Sequence, residues 1–162
     1  MIRLIAQDEE MLAALESPDA FRERYGADIA PHLDVTRDVV GTTLEFLGSV
    51  ESFPPWIGYL CIDVATDEVI GAGSFKGGPD AEDCVEIAYY TFPEFEGRGF
   101  GTETAGALVE LAREQEGVRA VLAHTLPEAN ASTRILGKLD FVHLGEVEDP
   151  EDGRVWRWRQ AL

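Results

Sequence analysis

Three glycines at alternate positions give the sequence its clearest candidate for a ligand site. They stand in Glu96-Gly97-Arg98-Gly99-Phe100-Gly101-Thr102, between a strand-like and a helix-like stretch. Glycine lets a backbone approach a ligand closely and direct successive N–H groups at it. The free amides and the dipole at the start of a helix favour a phosphate or pyrophosphate, and Arg98 adds a formal charge. The segment is therefore a candidate anion cradle, although a tight turn also needs glycine for its dihedral angles alone.

Two common phosphate-binding loops do not fit this segment. A Walker loop needs Gly-Lys-Ser/Thr, and no lysine follows these glycines. A dinucleotide-binding fingerprint needs Gly-x-Gly-x-x-Gly, and its third glycine would fall on Thr102 or Thr104. That fingerprint normally lies at the first strand of a domain, whereas about 95 residues precede this loop. A nicotinamide- or flavin-dependent oxidoreductase is therefore the least favoured class of enzyme for this sequence.

The elements that position the loop follow from hydrophobic periodicity. After a first strand, residues 8–52 have a helical pattern, with Pro18 starting one helix and Pro54-Pro55 ending the last. The remaining predicted elements are strands at 56–64, 69–75 and 84–90, a helix at 102–116, a strand at 119–123, a helix at 129–139, and strands at 141–144 and 155–158. This order predicts an α/β (α+β) fold, in which a mixed, mostly antiparallel central sheet of about six to seven strands carries helices on both faces.

Composition limits the class of protein. The 162 residues predict one domain over 1–162, and 45% apolar with 27% charged residues is typical of a globular chain. The formal charge of −18 repels nucleic acid and anionic membranes and attracts amines. No apolar run is long enough to span a bilayer, so we expect a soluble, cytoplasmic protein. Cys61 and Cys84 lack metal-ligand spacing, so we expect two buried thiols and no metal.

The glycine segment resembles the acetyl-CoA signature of the GNAT superfamily of N-acetyltransferases, Gln/Arg-x-x-Gly-x-Gly/Ala after a strand and before a helix. A second block also matches. Asn130-Ala131-Ser132 through Leu136-Gly137-Lys138-Leu139-Asp140-Phe141 is similar to the Asn-x-x-Ser…Lys-Leu-Gly-Phe helix of the branch that includes the ribosomal-protein N-terminal acetyltransferases. The resemblance is specific over roughly residues 68–141 and general before them.

The resemblance implies acetyl-CoA as cosubstrate, no metal, and direct transfer of the acetyl group to an amine. It places acceptor-side elements in 1–55, the acetyl-CoA core in 56–141 and C-terminal strands in 142–162. The expected cofactor contacts are Tyr90, Thr91, Phe92, Gly97, Arg98, Gly99, Phe100, Gly101, Thr102, Asn130 and Ser132. Asn130 and Ser132 are also suited to helix capping.

The same resemblance nominates two proton acceptors for the amine. Glu86 stands where the family often has a carboxylate, and a partly buried glutamate with a raised pKa can serve directly or through water. His124, at the end of a strand, is the second candidate. The acceptor is expected to be a small-molecule amine or a peptide N-terminus, and the enzyme a monomer or homodimer. The alternative is a non-catalytic acyl-CoA sensor, which needs the cradle but not Glu86.

Three positions depart from the family pattern. Glu96 stands where the family has Gln or Arg, which adds an unfavourable charge near the cradle, and Asp140 stands where it has Gly. The position of a tyrosine that many relatives use as general acid corresponds to Gly137. Its absence is compatible with catalysis, because a thiolate of pKa about 8.5 leaves without prior protonation.

Overall fold

The computed structural model describes residues 1–162. The strands are β1 (Ile2–Ala6), β2 (Gly58–Asp63), β3 (Val69–Phe75), β4 (Cys84–Thr91), β5 (Ala120–Thr125), β6 (Val142–Asp149) and β7 (Gly153–Ala161). The helices are α1 (Glu9–Ala14), α2 (Pro18–Tyr25), α3 (Leu33–Gly48), α4 (Phe100–Arg113) and α5 (Ala131–Lys138), with 3₁₀ turns at Ala30–His32 and Pro93–Phe95. Every predicted element is present. The largest differences are the longer final hairpin, a third helix that ends at Gly48, and a fourth helix that is shifted toward the N-terminus by two to three residues.

All seven strands form one sheet in the order β1-β2-β3-β4-β5-β7-β6. Only β4 and β5 run parallel, and the other neighbours are antiparallel. The predicted mixed, mostly antiparallel sheet is therefore confirmed. The single parallel pair arises because α4 crosses from the end of β4 to the start of β5, as a parallel connection requires.

Helices cover both faces of the sheet, as predicted. A side chain at Gly58 would point at Thr43 of α3, and one at the neighbouring Gly73 would point at Thr104 and Leu108 of α4. Because Gly58 pairs with Ser74, and Tyr59 with Gly73, these two glycines face opposite sides. The first three helices therefore pack on one face, and α4 with α5 on the other.

Each face has its own hydrophobic core. The first contains Met11, Leu15 and Phe21 of the first two helices against Leu60 and Ile70. The second is built around α4 and α5, with the side chains of Tyr59, Phe75, Val85, Ile87, Leu108, Val109, Leu136 and Trp158. Both cysteines are buried free thiols, as expected. No helix combines the length and apolarity that crossing a bilayer requires.

Local sequence signals set the helix ends. Ser17 caps α2, with Pro18 in its first turn, and Gly26 ends that helix at φ +63°. At α5, the Asn130 side chain accepts a hydrogen bond from the Thr133 N–H, and the Thr133 hydroxyl accepts one from the Asn130 N–H. This capping box fixes the start of α5 beside the glycine segment.

Candidate active site

The two central strands separate partway along their length. The parallel pairing of β4 with β5 ends at Ile87 and Ala123. Beyond that point, β4 stays paired only with β3, and β5 only with β7. One backbone edge of each strand is thus left without a strand partner, and the gap between them opens toward the glycine segment.

The glycine segment directs unused amides at this opening. None of the N–H groups of residues 97–102 donates a hydrogen bond within the chain. Gly97 and Gly99 have φ values of +75° and +90°, and no heavy atom lies within 4 Å of where a Cβ would stand on either. Gly99 immediately precedes α4, so the positive end of the helix dipole adds to these donors. The geometry is that of an anion cradle, and it fits a pyrophosphate group.

A pocket of about 410 Å³ runs from the cradle to α5. It is lined by Tyr89, Tyr90, Thr91, Phe95, Glu96, Gly97, Gly99, Gly101, Ala131, Ser132, Arg134, Ile135 and Lys138. Arg134 and Lys138 form no salt bridge, and neither does Arg98 of the cradle. Three unpaired cations therefore surround the amides, which suits the several negative charges of CoA.

Most of the predicted cofactor contacts lie at this pocket. Tyr90, Thr91 and Ser132 line it with the glycines, and the free amides of Arg98, Phe100 and Thr102 belong to the cradle. The side chain of Phe100 instead packs beneath the loop, against Phe95. The side-chain oxygen of Asn130 accepts the hydrogen bond that caps α5.

The side chain of Phe92, a predicted cofactor contact, does not line this pocket. Its side chain is fully buried in the core under the first three helices, with its ring 5.2 Å from that of His32. Its N–H donates to the Ile70 carbonyl. Strand alternation places Phe92 on the face opposite Thr91, and burial separates it from Tyr90, which shares that face but is exposed and lines the pocket.

The sequence reasoning missed Tyr89, Arg134 and Lys138. A signal for the two cations was present, because residues four apart on a helix share a face. Tyr89 alternates with Tyr90 on β4 and therefore points to the α4 face of the sheet.

On the opposite face, the two predicted catalytic residues lie in contact. The Nδ1 atom of His124 is 2.8 Å from Oε1 of Glu86, and Nε of Arg157 donates to Nε2 of His124 over 3.0 Å. Because a guanidinium can only donate, Nε2 must be the acceptor, and the ring proton is on Nδ1. Both ring nitrogens of His124 are therefore engaged in hydrogen bonds, and neither has a free lone pair for a substrate proton.

The expectation that Glu86 has a raised pKa is wrong. Burial pushes its pKa upward, but the hydrogen bond with His124 and the positive charge of Lys76 outweigh this effect. The pKa of Glu86 is lowered as a result. At neutral pH, Glu86 is therefore a carboxylate held in place by its neighbours, suited to binding an ammonium group and accepting a proton from it.

Lys76 links Glu86 to the acidic turn between β6 and β7. Its Nζ atom lies 3.4 Å from Glu86 Oε1, 3.2 Å from Glu151 and 3.9 Å from Asp152. The same nitrogen stands 5.7 Å from the centre of the Phe46 ring on α3. The turn and α3 thus border the approach to Glu86. The turn presents the carboxylates of Glu151 and Asp152 to an incoming amine.

The structure shows the environment of Asp140 and Glu96, two of the residues that depart from the family pattern. Asp140 has φ +60°, a left-handed conformation that glycine adopts without strain and other residues adopt less readily. Glu96 lines the pocket beside the cradle, where its charge opposes that of a bound phosphate.

Comparison with known proteins agrees with an acetyl-CoA-binding site. The profile of the acetyltransferase (GNAT) domain matches residues 1–142. No curated protein matches the chain. Among solved structures, the ribosomal L7/L12 alpha-N-protein acetyltransferase RimL, in complex with coenzyme A, has a TM-score of 0.68 and 17% identity over 99% of this chain and 94% of that one.

Two further structures share the fold. The ribosomal-protein-S5-alanine acetyltransferase of Vibrio fischeri has a TM-score of 0.65 and 15% identity over 99% of this chain and 91% of its own. A GNAT acetyltransferase of Bacillus anthracis has a TM-score of 0.63 and 15% identity over 99% and 93% of the two chains. With the cradle, the separated strands and a family profile spanning most of the sequence, the chain belongs to the GNAT acetyltransferase family and is an acetyl-CoA-dependent N-acetyltransferase.

Proposed function

We propose that the chain transfers the acetyl group of acetyl-CoA directly to an α-amino group, with Glu86 accepting the proton of that amine. The observation that carries this proposal is the arrangement along β4, where an anion cradle stands at one end and a fixed carboxylate at the other. Thr91 lies 3.5 Å from the position of a Cβ on Gly101 at the cradle. Glu86 is five residues earlier, about 16 Å along the strand.

The cradle and the pocket fit CoA. The free amides of residues 97–102 and the cations Arg98, Arg134 and Lys138 are placed to hold its phosphates. When bound there, acetyl-CoA supplies a thioester with a good leaving group. The pocket leads its thiol-bearing arm along β4 toward the gap between β4 and β5, on whose far side Glu86 and His124 stand.

Glu86 removes the proton that prevents an ammonium ion from attacking the thioester. An ammonium ion cannot attack a carbonyl, so it must first lose a proton, and the Glu86 carboxylate is the acceptor directly or through water. The amine nitrogen then forms the new C–N bond while the thioester C–S bond breaks, and the second proton of that nitrogen passes to the departing CoA thiolate or to solvent. The departing thiolate, of ordinary pKa about 8.5, needs no general acid. His124 and Arg157 position the carboxylate.

The lowered pKa of Glu86 favours an α-amine as the acceptor. A carboxylate of lowered pKa accepts a proton more readily from a weakly basic amine's ammonium form than from that of a strongly basic amine. At pH 7, an α-amino group of pKa about 7.8 is roughly 14% neutral, whereas a lysine side chain of pKa about 10.4 is roughly 0.04% neutral. Peptide N-termini fit this requirement, and one of the similar structures is named as an alpha-N-protein acetyltransferase. A small α-amino compound fits it equally.

A thiol-release assay tests the proposal. The panel contains a short peptide with a free N-terminus, the same peptide with an acetylated N-terminus and a single lysine, and a set of small amines. We expect release with free α-amines and none with the blocked peptide. Preferred reaction at the lysine would contradict the assignment of the acceptor.

The variant Glu86→Gln separates the enzyme from a sensor. It keeps the shape of the side chain and removes the basic oxygen, so turnover should fall by about 10²–10⁴-fold while acetyl-CoA affinity stays constant. Glu110→Gln is the matched control, because Glu110 is an exposed carboxylate on α4 paired only with Arg113. If the parent binds acetyl-CoA but acetylates no amine, the sensor alternative is correct.

A further inference from the structure

Tyr89 has a buried hydroxyl that makes no hydrogen bond with the protein. Because an unpaired buried hydroxyl lowers stability, almost all such groups in folded proteins have partners. Tyr89 also lines the pocket that runs from the cradle to α5. An unpaired donor on the wall of a ligand pocket indicates a partner that belongs to the ligand.

The position of Tyr89 along β4 identifies the part of the ligand that it meets. Its side chain shares a sheet face with Thr91, which is next to Gly101, and it stands about 7 Å from Thr91 along the strand. Glu86 lies three residues, or about 10 Å, further on. Tyr89 is therefore beyond the phosphate cradle and short of the reaction centre.

The surroundings keep Tyr89 in its protonated form. Burial raises the pKa of its phenol to about 12, and the neighbouring Ser132 hydroxyl offsets only part of this effect. The two hydroxyl groups do not meet in hydrogen-bonding geometry. At neutral pH, Tyr89 is thus available as a hydrogen-bond donor.

From this geometry we infer that the Tyr89 hydroxyl donates a hydrogen bond to the pantetheine arm of CoA, and so holds the arm between the cradle and Glu86. The inference rests on the proposed function. The arm carries amide carbonyls and ends in sulfur, so it offers the acceptor that the protein lacks at this point. The nucleotide end of CoA is held elsewhere, by the amides of residues 97–102.

The variant Tyr89→Phe tests the inference, because it removes only the hydroxyl. Calorimetric titration with CoA should show about 10-fold weaker binding, the scale of one lost hydrogen bond. Titration with adenosine 3′,5′-bisphosphate, which lacks the arm, should give the same affinity as the parent. The melting temperature of the ligand-free variant should equal or exceed that of the parent, since an unpaired buried group has been removed.

Tyr59→Phe is the matched control. The Tyr59 hydroxyl is also partly buried, but it donates to the Pro55 carbonyl over 2.7 Å and lies outside the pocket. Its removal should lower the melting temperature and leave CoA affinity unchanged. The two variants thus make the same chemical change with opposite expected effects on stability and on binding.

Three results would overturn the inference: CoA affinity of Tyr89→Phe within threefold of the parent, an equal loss for CoA and for the bisphosphate, or a fall in melting temperature as large as that of Tyr59→Phe. The failure of the proposed function looks different. In that case the parent would bind CoA, and Tyr89→Phe would still weaken this binding, but no α-amine would be acetylated; a parent that bound no CoA would overturn both.

Discussion

Replacing Gly99 with aspartate tests the cradle most directly, because the structure separates charge from steric effects at this position. No heavy atom lies within 4 Å of where a Cβ would stand, so the new side chain fits. The φ of +90° costs about 1–2 kcal/mol of folding stability for a residue with a side chain. The carboxylate then stands at the start of α4, among the amides that we assign to phosphate.

The effect on binding follows from the charges. Two unit charges 4 Å apart repel by about 1 kcal/mol in water and about 4 kcal/mol near a protein surface. A pyrophosphate carries at least two charges, so a loss of about 2 kcal/mol is a low estimate. At about 1.4 kcal/mol per factor of ten, CoA affinity should fall by at least about 30-fold.

Gly117→Asp is a control with the same strain and the same charge. Gly117 has φ +88°, and no heavy atom lies within 4 Å of where its Cβ would stand. It follows the other end of α4, about 21 Å from the cradle along the helix. Calorimetric titration with CoA should separate the two variants, while circular dichroism should show both folded. Equal CoA affinities would refute the cradle.

Three further substitutions give measurable outcomes. Asp140→Gly should raise the free energy of unfolding in urea by about 1 kcal/mol, because it relieves a left-handed φ of +60°, and a loss of stability would contradict that reading. Glu96→Gln should tighten CoA binding in calorimetry by about fivefold, the effect of one repulsion near 4 Å in water, whereas weaker binding would mean that Glu96 contacts the ligand favourably. The lowered pKa of Glu86 means that its ionised form stabilises the fold at pH values above its ordinary pKa of 4.5, and that this contribution disappears as pH falls through the folded pKa. Urea unfolding between about pH 6 and pH 3 should therefore show the parent losing stability more steeply than Glu86→Gln, and parallel curves would contradict the shift.

The sequence predicts the fold well because its signals are local. Ser17 and Pro18 specify the start of a helix, and alternating apolar residues specify each strand. The cradle belongs to the same class, since residues 97–102 are contiguous and their glycines determine the backbone. The elements and the anion site could therefore both be predicted from neighbouring residues.

The arrangement around Glu86 could not be predicted in this way. His124 is 38 residues away and Arg157 a further 33, and only the pairing of three strands brings them together. The direction of the Glu86 pKa depends on these contacts and on Lys76, so partial burial alone predicted the wrong sign. Phe92 shows the same limit, because a motif identifies neighbours in sequence and only strand alternation decides which face each one occupies.

The distribution of paired charges explains how a protein of net charge −18 can bind an anionic cosubstrate. Eight of the 13 lysine and arginine side chains form salt bridges with its abundant carboxylates. The five that form none are Arg98, Arg134, Lys138, Arg157 and Arg159.

These unpaired cations are not scattered. Arg134 and Lys138 line the cradle pocket, and Arg98 lies in the cradle segment with its guanidinium over the Phe95 ring. The two on β7 share the sheet face of Glu86 and His124. Charges separated by more than about 8 Å are largely screened at physiological salt, so the repulsion of the whole molecule weakens before contact is made. Within the pocket, unpaired cations and free amides act at hydrogen-bonding distance, where screening is least. The acidic surface and the anion site are therefore compatible, because the cations at the site are not neutralised by salt bridges and act on a bound anion at short range.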